Sequence, residues 1–488
     1  DGTPLGAYLI QPKNSSPSNR VPLIVMPASW GSGSNEYVQI GKEFANAGYE
    51  VISYAQRGFR PSEGEVDFAD TQTQGDVSTV IDWALKNTDA DKNRIGMLGL
   101  SYGAGMSLLG AERDARVKAV VAMAAWADLG AAMDPNHTLN ALALAGLMSS
   151  GARVGTLNPE LSTVKDQLVA GVSAGSETML NKPVRSASTN VAALNRNKTA
   201  VMLANAYQDS LIIPNQLVSF FNQLTGPKRL ELRRGDHGGP EITGLLGGTS
   251  AEFQTAMHWL DHYVRGVDNG IQDDKPVQLE DVKTRQWHAY GDWAEIGRAT
   301  RSMLGDANTG ALPTGTIDGR ATAWSRTIKT GTDTVATSGI TQINSPNFIL
   351  TAGVPISKVN RADAVVWTGA TTPAAAVVNG EPHLHITVMT SGASGTFFAY
   401  LYDVDPATGG TLMTYAPYSV VGVTPGTPTT VDVDLGATSW TVGAGHHLAL
   451  VIDTVDGRYF GHNTAPGSTL TFSSSTADPA SLAVDVAG

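Results

Sequence analysis

Between residues 21 and 127, unbroken apolar runs alternate with amphipathic stretches, and this rhythm constrains the fold more than any other feature of the chain. Residues 21–26, Val-Pro-Leu-Ile-Val-Met, read as a strand that is apolar on both faces. Residues 36–47 read as a helix closed by Gly48, and 50–54 as a strand. Residues 76–86 place Val77, Val80, Ile81 and Ala84 on one helical stripe, and 94–98 and 117–122 are further strands. Strands without a polar face, separated by helices, predict a parallel sheet covered on both sides. The rhythm stops near Asp128 and resumes with a strand at 199–203, a helix at 215–224, a strand at 229–233 and a helix at 251–264. The Ala/Leu/Ser-rich interruption predicts an inserted helical cap.

Beyond about residue 270 helical periodicity fades. Short segments such as 384–388, 396–402 and 447–452 lie between Gly, Pro and Asp turns, the pattern of an antiparallel β-sandwich. The expected organisation is an α/β catalytic unit at 1–127 and 199–270, a helical cap at 128–198 and an all-β sandwich at 271–488.

The composition excludes several classes. Asp and Glu number 45 against 33 Lys and Arg, a formal charge of -12, which disfavours nucleic acid as a partner. No apolar run is long enough to span a bilayer. Cysteine is absent, which removes disulfides, thiolate metal sites and a cysteine nucleophile. The chain starts at Asp1 without an initiator Met, which reads as loss of a signal peptide or propeptide, or as a chosen start. With 53 glycines and a Ser/Thr/Gly-rich C-terminal region, secretion is expected, with a cytoplasmic location as the alternative.

Gly99-Leu-Ser101-Tyr-Gly103 matches GxSxG, in which glycines permit a sharp strand-to-helix turn that lifts the serine hydroxyl off the sheet. Gly171-Val-Ser173-Ala-Gly175 matches as well. Only Ser101 follows a strand run and precedes a helix start, so Ser101 is the expected nucleophile and Ser173 a turn in the cap. In this arrangement an acid and then a histidine follow the serine, each after a later strand. Asp209 and His237 stand at those places, and glycines on either side of the Asp236-His237 pair free the histidine loop to swing. Asp128, after the strand at 117–122, is the rival acid. Asp236 adjoins the histidine too closely to orient it easily.

Oxyanion donors are expected from the backbone N–H of Tyr102 and from that of Trp30 or Ser29, in the loop after the first strand. Trp30 equally reads as a pocket wall. Leu144 and Met148, in the apolar stretch 139–148, are candidate acyl-pocket residues alongside Trp30 and Tyr102. His258 and His262 have a spacing that can bind zinc, but the glutamate of that motif and a third ligand are missing. His383, His385, His446 and His447 read as sandwich residues. No metal or organic cofactor is called for.

The segment Arg57-Gly-Phe-Arg-Pro-Ser-Glu-Gly64 resembles the Arg-Gly-x-Gly-x-Ser-Glu-Gly signature of the cocaine-esterase and X-Pro dipeptidyl-peptidase superfamily. The elbow at Ser101, the acid loop Ala206-Tyr-Gln-Asp209 and the loop Gly235-Asp-His-Gly238 are similar to that family's. So are the passage Val264-Arg-Gly-Val-Asp-Asn-Gly270 and the segment 398–405. The resemblance implies a C-terminal jelly roll and favours Asp209 over Asp128. Phe59 replaces the second signature glycine, Ala28 stands where the family often carries an oxyanion-hole tyrosine, and the cap is short for the family.

Three readings follow. The first is a serine hydrolase cleaving an ester or amide of a small acyl substrate through an acyl-enzyme. The second is an X-Pro dipeptidyl-peptidase acting on short peptides, which needs acidic groups for a free amine. Glu160, Asp166 and Glu177 are scattered through the cap, so the first is preferred. The third is an inert hydrolase domain with a carbohydrate- or surface-binding sandwich, against which the intact Ser, Asp and His set argues. The oligomeric state is left open.

Overall fold

The computed structural model describes residues 1–296, 300–308, 310, 312–339, 353–463 and 467–487. The remaining positions of the expected sandwich lie outside the described residues. A nine-stranded sheet forms the first part of the chain. Its strands are β1 (Ala7–Ile10), β2 (Val21–Pro27), β3 (Glu50–Tyr54), β4 (Ala90–Leu100), β5 (Val117–Met123), β6 (Ala200–Ala206), β7 (Lys228–Arg233), β8 (Val277–Glu280) and β9 (Trp287–Tyr290). The spatial order is β1-β3-β2-β4-β5-β6-β7-β8-β9. The run from β3 to β8 is parallel, and β1 and β9 close the edges antiparallel.

The apolar runs divide by residue parity, as a pleated strand requires. Leu23 and Val25 of β2 face one core with α2 (Thr71–Asn87) and α3 (Tyr102–Arg113). Ile24 and Met26 face the other with α1 (Val38–Asn46) and, near the end of the unit, the helix Ala251–Arg265. Both faces are therefore dry, which accounts for the absence of polar alternation.

Two strands from beyond residue 270 complete this sheet, so the catalytic sheet extends past the expected boundary. Leu230 and Leu232 of β7 pair with Val277 and Leu279 of β8. These strands are short, with β9 half exposed, so their apolar signal was too weak to read. Helix α2 begins at Thr71, five residues before the expected start at residue 76. Asp70 accepts the Thr71 amide at 2.7 Å, and buried Thr73 bonds Asp67 instead of packing as a hydrophobe.

Between β5 and β6 lie only helices: α4 (Leu129–Met133), α5 (Ala141–Val154), α6 (Pro159–Val169), α7 (Ala174–Leu180) and α8 (Val191–Asn197), with short 3-10 turns. Isolated bridges Phe59–Gly155 and Val66–Leu157 join this cap to the sheet unit. Fully buried Arg185 locks it further, donating to the carbonyls of Met179 and Asp67 at 2.9 Å each and to Glu160 at 2.8 Å.

The C-terminal domain is all-β. One of its main sheets centres on His383–Thr390, whose burial alternates residue by residue, and the other on Gly395–Asp405. The latter is buried along nearly its whole length, because Ala336, Val354, Ile356 and Val359 cover its outer face. The sandwich packs on the cap: Asn136 donates to the Pro417 carbonyl at 3.0 Å, and the Leu142 amide to that of Arg458 at 3.0 Å. No helix among the described residues is long and apolar enough to cross a membrane.

Candidate active site

Strand β4 ends at Leu100 and α3 begins at Tyr102, so Ser101 alone makes the turn. Its backbone sits at φ 56° and ψ −120°, a strained conformation for a residue with a side chain. The flanking glycines let the chain close on itself. A Cβ on Gly99 would fall 2.2 Å from the Gly103 backbone, and one on Gly103 would fall 2.0 Å from the Pro27 carbonyl oxygen. The strain lifts the Ser101 hydroxyl to the C-terminal edge of the sheet, beside the loops that follow β2, β6 and β7.

Those loops deliver the partners. Ser101 Oγ lies 2.7 Å from Nε2 of His237, and Nδ1 of His237 lies 2.8 Å from Oδ2 of Asp209. The carboxylate can only accept, so Nδ1 carries the proton, Nε2 is the acceptor and the serine hydroxyl is the donor. The other Asp209 oxygen accepts the amides of Leu211 at 2.9 Å and Ile212 at 2.8 Å, which fixes the carboxylate plane. Asp236 stands behind, accepting the Ser210 amide at 2.8 Å and that of His237 at 2.7 Å, and so pins the two loops together.

Both His237 and Asp209 are buried. Burial by itself opposes charging of the imidazole. The Asp209 charge and hydrogen bond outweigh it, helped by Asp236 and Glu241, and hold His237 above its ordinary value of 6.5. Burial pushes the Glu241 carboxyl up to about 7. Glu241 gave no sequence signal beyond its place four residues after the histidine.

The rival residues are engaged elsewhere. Asp128 caps α4 through the Ala131 amide at 2.9 Å and accepts the Ser188 hydroxyl at 3.0 Å. Ser173 stands at the start of α7 and donates to Glu177 at 2.7 Å. His262 bonds the Val267 carbonyl at 3.0 Å. His383 and His385 form a surface ladder with Asp432, Asp434 and Asp478, and His446 bonds Asp403 at 2.7 Å.

The expectations for the oxyanion loop and the pocket need correction. The Ser29 amide already donates to Glu36 at 2.6 Å and its hydroxyl to the Leu100 carbonyl at 2.9 Å, so Ser29 has no donor to spare. The amides of Trp30 and Tyr102 have no partner among the described residues, so both N–H groups remain able to donate beside Ser101. The Ala28 amide is held by the Tyr54 carbonyl at 2.9 Å.

Leu144 and Met148 are fully buried and do not reach the cleft. Helix α5 turns Ala143, Leu147 and Ser150 towards Ser101 instead, a stripe at spacings of four and three. Residues 141–148 of α5 are apolar on every side and give no indication of which stripe faces the cleft, so size was a poor guide. Trp30 is a wall, with its indole donating to the Leu147 carbonyl at 2.9 Å. Its ring lies 4.9 Å from Phe59, 4.8 Å from Phe68 and 5.2 Å from Tyr102. Phe59 thus fills the seam between cap and sheet. Phe68, Trp126 and Met133 also line the apolar pocket and were not foreseen, because they converge from three separate segments.

Two family profiles match the chain. X-Pro dipeptidyl-peptidase (S15 family) matches residues 1–239, and the X-Pro dipeptidyl-peptidase C-terminal non-catalytic domain matches 269–482. A putative Xaa-Pro dipeptidyl-peptidase of Bacillus cereus is 21% identical over 280 residues, 52% of this chain and 46% of that protein. The chain spans less than half the length of the curated relatives it matches.

Among solved structures, a CocE/NonD family hydrolase from Staphylococcus aureus superposes with a TM-score of 0.73 at 12% identity, covering 100% of this chain and 93% of that one. An aminopeptidase from a Thaumarchaeota archaeon superposes at 0.72 and 15% identity, covering 100% and 95%. These likenesses extend over both the α/β unit and the all-β domain. They show the fold, and the two matched profiles, which together cover most of the chain, establish that it belongs to the X-Pro dipeptidyl-peptidase (S15) family of α/β-hydrolases.

Proposed function

We propose that the protein is a serine hydrolase that cleaves an ester or amide bond of a small acyl substrate through an acyl-enzyme on Ser101. The observation that carries this reading is the continuous hydrogen-bond chain from Ser101 through His237 to Asp209. As the Ser101 oxygen attacks the carbonyl carbon, its proton passes to Nε2 of His237, and Asp209 stabilises the resulting imidazolium. The amides of Tyr102 and Trp30 take the developing oxyanion. His237 then returns the proton to the leaving group, and water repeats the sequence to release the acid.

The pocket beside Ser101 supports a short acyl group. Trp30, Phe68, Tyr102, Trp126, Leu129, Met133, Leu147, Leu211 and Ile212 enclose a free volume of ≈ 20 Å³, little more than one water needs. None of these residues is charged. A dipeptidyl-peptidase reading draws support from the matched profile and from the name of the Bacillus cereus relative. It requires an anion for a free N-terminal amine, and this pocket offers none among the described residues.

Comparison of kcat/KM on p-nitrophenyl esters of increasing chain length and on Xaa-Pro anilides tests the choice. Acetyl and propionyl esters are expected to lead. A preference for Xaa-Pro anilides over every ester would transfer the assignment to the peptidase.

A further inference from the structure

Ser101 lies between two spaces that differ in size and in the polar groups that line them. On one side is the small apolar pocket. On the other is a larger cleft of ≈ 450 Å³ that includes His237, Gly238, Ser32, Ser150 and Glu36. Trp30, Leu147 and Leu211 line both. His237 must protonate the departing group, and of these two spaces it borders the larger cleft, so leaving groups exit there and acyl groups occupy the small apolar side.

We propose that Glu36 selects leaving groups that carry an organic cation, an ammonium-bearing alcohol or amine; this rests on the serine-hydrolase reading above. Glu36 is the only acidic side chain lining the cleft among the described residues. It makes no ion pair with any described Lys, Arg or His. Its oxygens accept the Ser29 amide at 2.6 Å and the Ser32 hydroxyl at 3.3 Å, which hold the carboxylate at the cleft wall. Burial raises its pKa above the ordinary value against these hydrogen bonds, the condition of a carboxylate short of a counter-charge. A cation on the leaving group supplies that counter-charge at the mouth of the site, where part of the attraction is screened by water.

The test uses acetylcholine and 3,3-dimethylbutyl acetate, which share an acyl group and a leaving-group shape and differ in one positive charge. The wild-type enzyme is expected to favour acetylcholine about three- to tenfold in kcat/KM. Glu36→Gln, which keeps an acceptor for the Ser29 amide, is expected to bring that ratio close to one. Raising salt from about 0.05 to about 1 M should shrink the wild-type ratio, and this holds whether or not the variant folds.

A wild-type ratio near one overturns the proposal. So does a salt-independent ratio, or a Glu36→Gln variant that slows both substrates equally, since Glu36 would then only anchor its loop. Fluorophosphonate labelling on the same preparation separates the failures. Absence of label on Ser101 sinks the hydrolase reading itself, whereas label with a ratio of one sinks only the role of Glu36.

Discussion

A side-chain carbon on Gly103 would sit 2.0 Å from the carbonyl oxygen of Pro27. The helix after Ser101 thus rests directly on the end of β2, with no room for even one methyl. Backbone contact at that range cannot be relieved by a rotamer change. Gly103→Ala is therefore expected to destabilise the protein by about 2 kcal/mol or more and to cost at least about tenfold in kcat/KM. Gly75→Ala, in the middle of α2 with open space around it, should instead stabilise by about 0.5–1 kcal/mol. Thermal unfolding of the two variants checks both signs.

Two aspartates competed for one role, and the structure separates them by what each holds. Asp209→Asn should lower kcat by about 10³- to 10⁴-fold with the fold intact, because the imidazole loses the partner that sets its tautomer. Asp128→Ala should leave kcat within about twofold and remove about 1 kcal/mol of stability, the usual cost of an N-cap. Steady-state kinetics with chemical denaturation distinguishes the two effects.

The pH profile follows from the environment of His237. The imidazole must be neutral to accept the serine proton, and Asp209 favours its protonated form. The acid limb of kcat/KM should therefore have its midpoint above 6.5, with activity rising as pH increases through it. In Asp209→Asn the charge is gone and burial, which favours the neutral ring, remains. The His237 titration in that variant, followed by imidazole NMR, should move down relative to wild type.

Leu144 and Leu147 are three residues apart on α5, yet Leu147 lines the pocket beside Ser101 and Leu144 is fully buried in the core next to it. Leu147→Ala opens the acyl pocket, so the preferred acyl chain should lengthen by about two or more carbons. Leu144→Ala leaves a cavity in the core and should cost about 2–5 kcal/mol without shifting the chain-length profile. A chain-length series on both variants, with unfolding curves, reads the difference.

What was legible beforehand follows the strength of the local physics. Strands β2 and β6 announce themselves because both faces are buried and at most one polar residue, Asn205, interrupts the run, whereas β7, in which Arg229, Glu231 and Arg233 alternate with Leu230 and Leu232, was readable from its place in the strand-helix rhythm. Ser101, Asp209 and His237 were readable because chain order and strand ends restrict where such residues can meet. The start of α2 and the short strands β8 and β9 were not, since buried Thr73 and Gln74 and half-exposed β9 carry no apolar signature. The apolar pocket beside Ser101 was missed for a different reason. Phe68, Trp126, Met133 and Leu147 converge only after the cap has docked, and nothing local in their segments records that meeting. Ser29 was excluded by a hydrogen bond to Glu36 seven residues on, which loop sequence does not encode.

Mass spectrometry after brief treatment with a fluorophosphonate probes the nucleophile most directly. The geometry requires a single adduct on Ser101, blocked in Ser101→Ala, which should also lose at least about a thousandfold in turnover. An adduct on Ser173 or another serine, or a Ser101→Ala enzyme that keeps near-native turnover, would contradict the assignment.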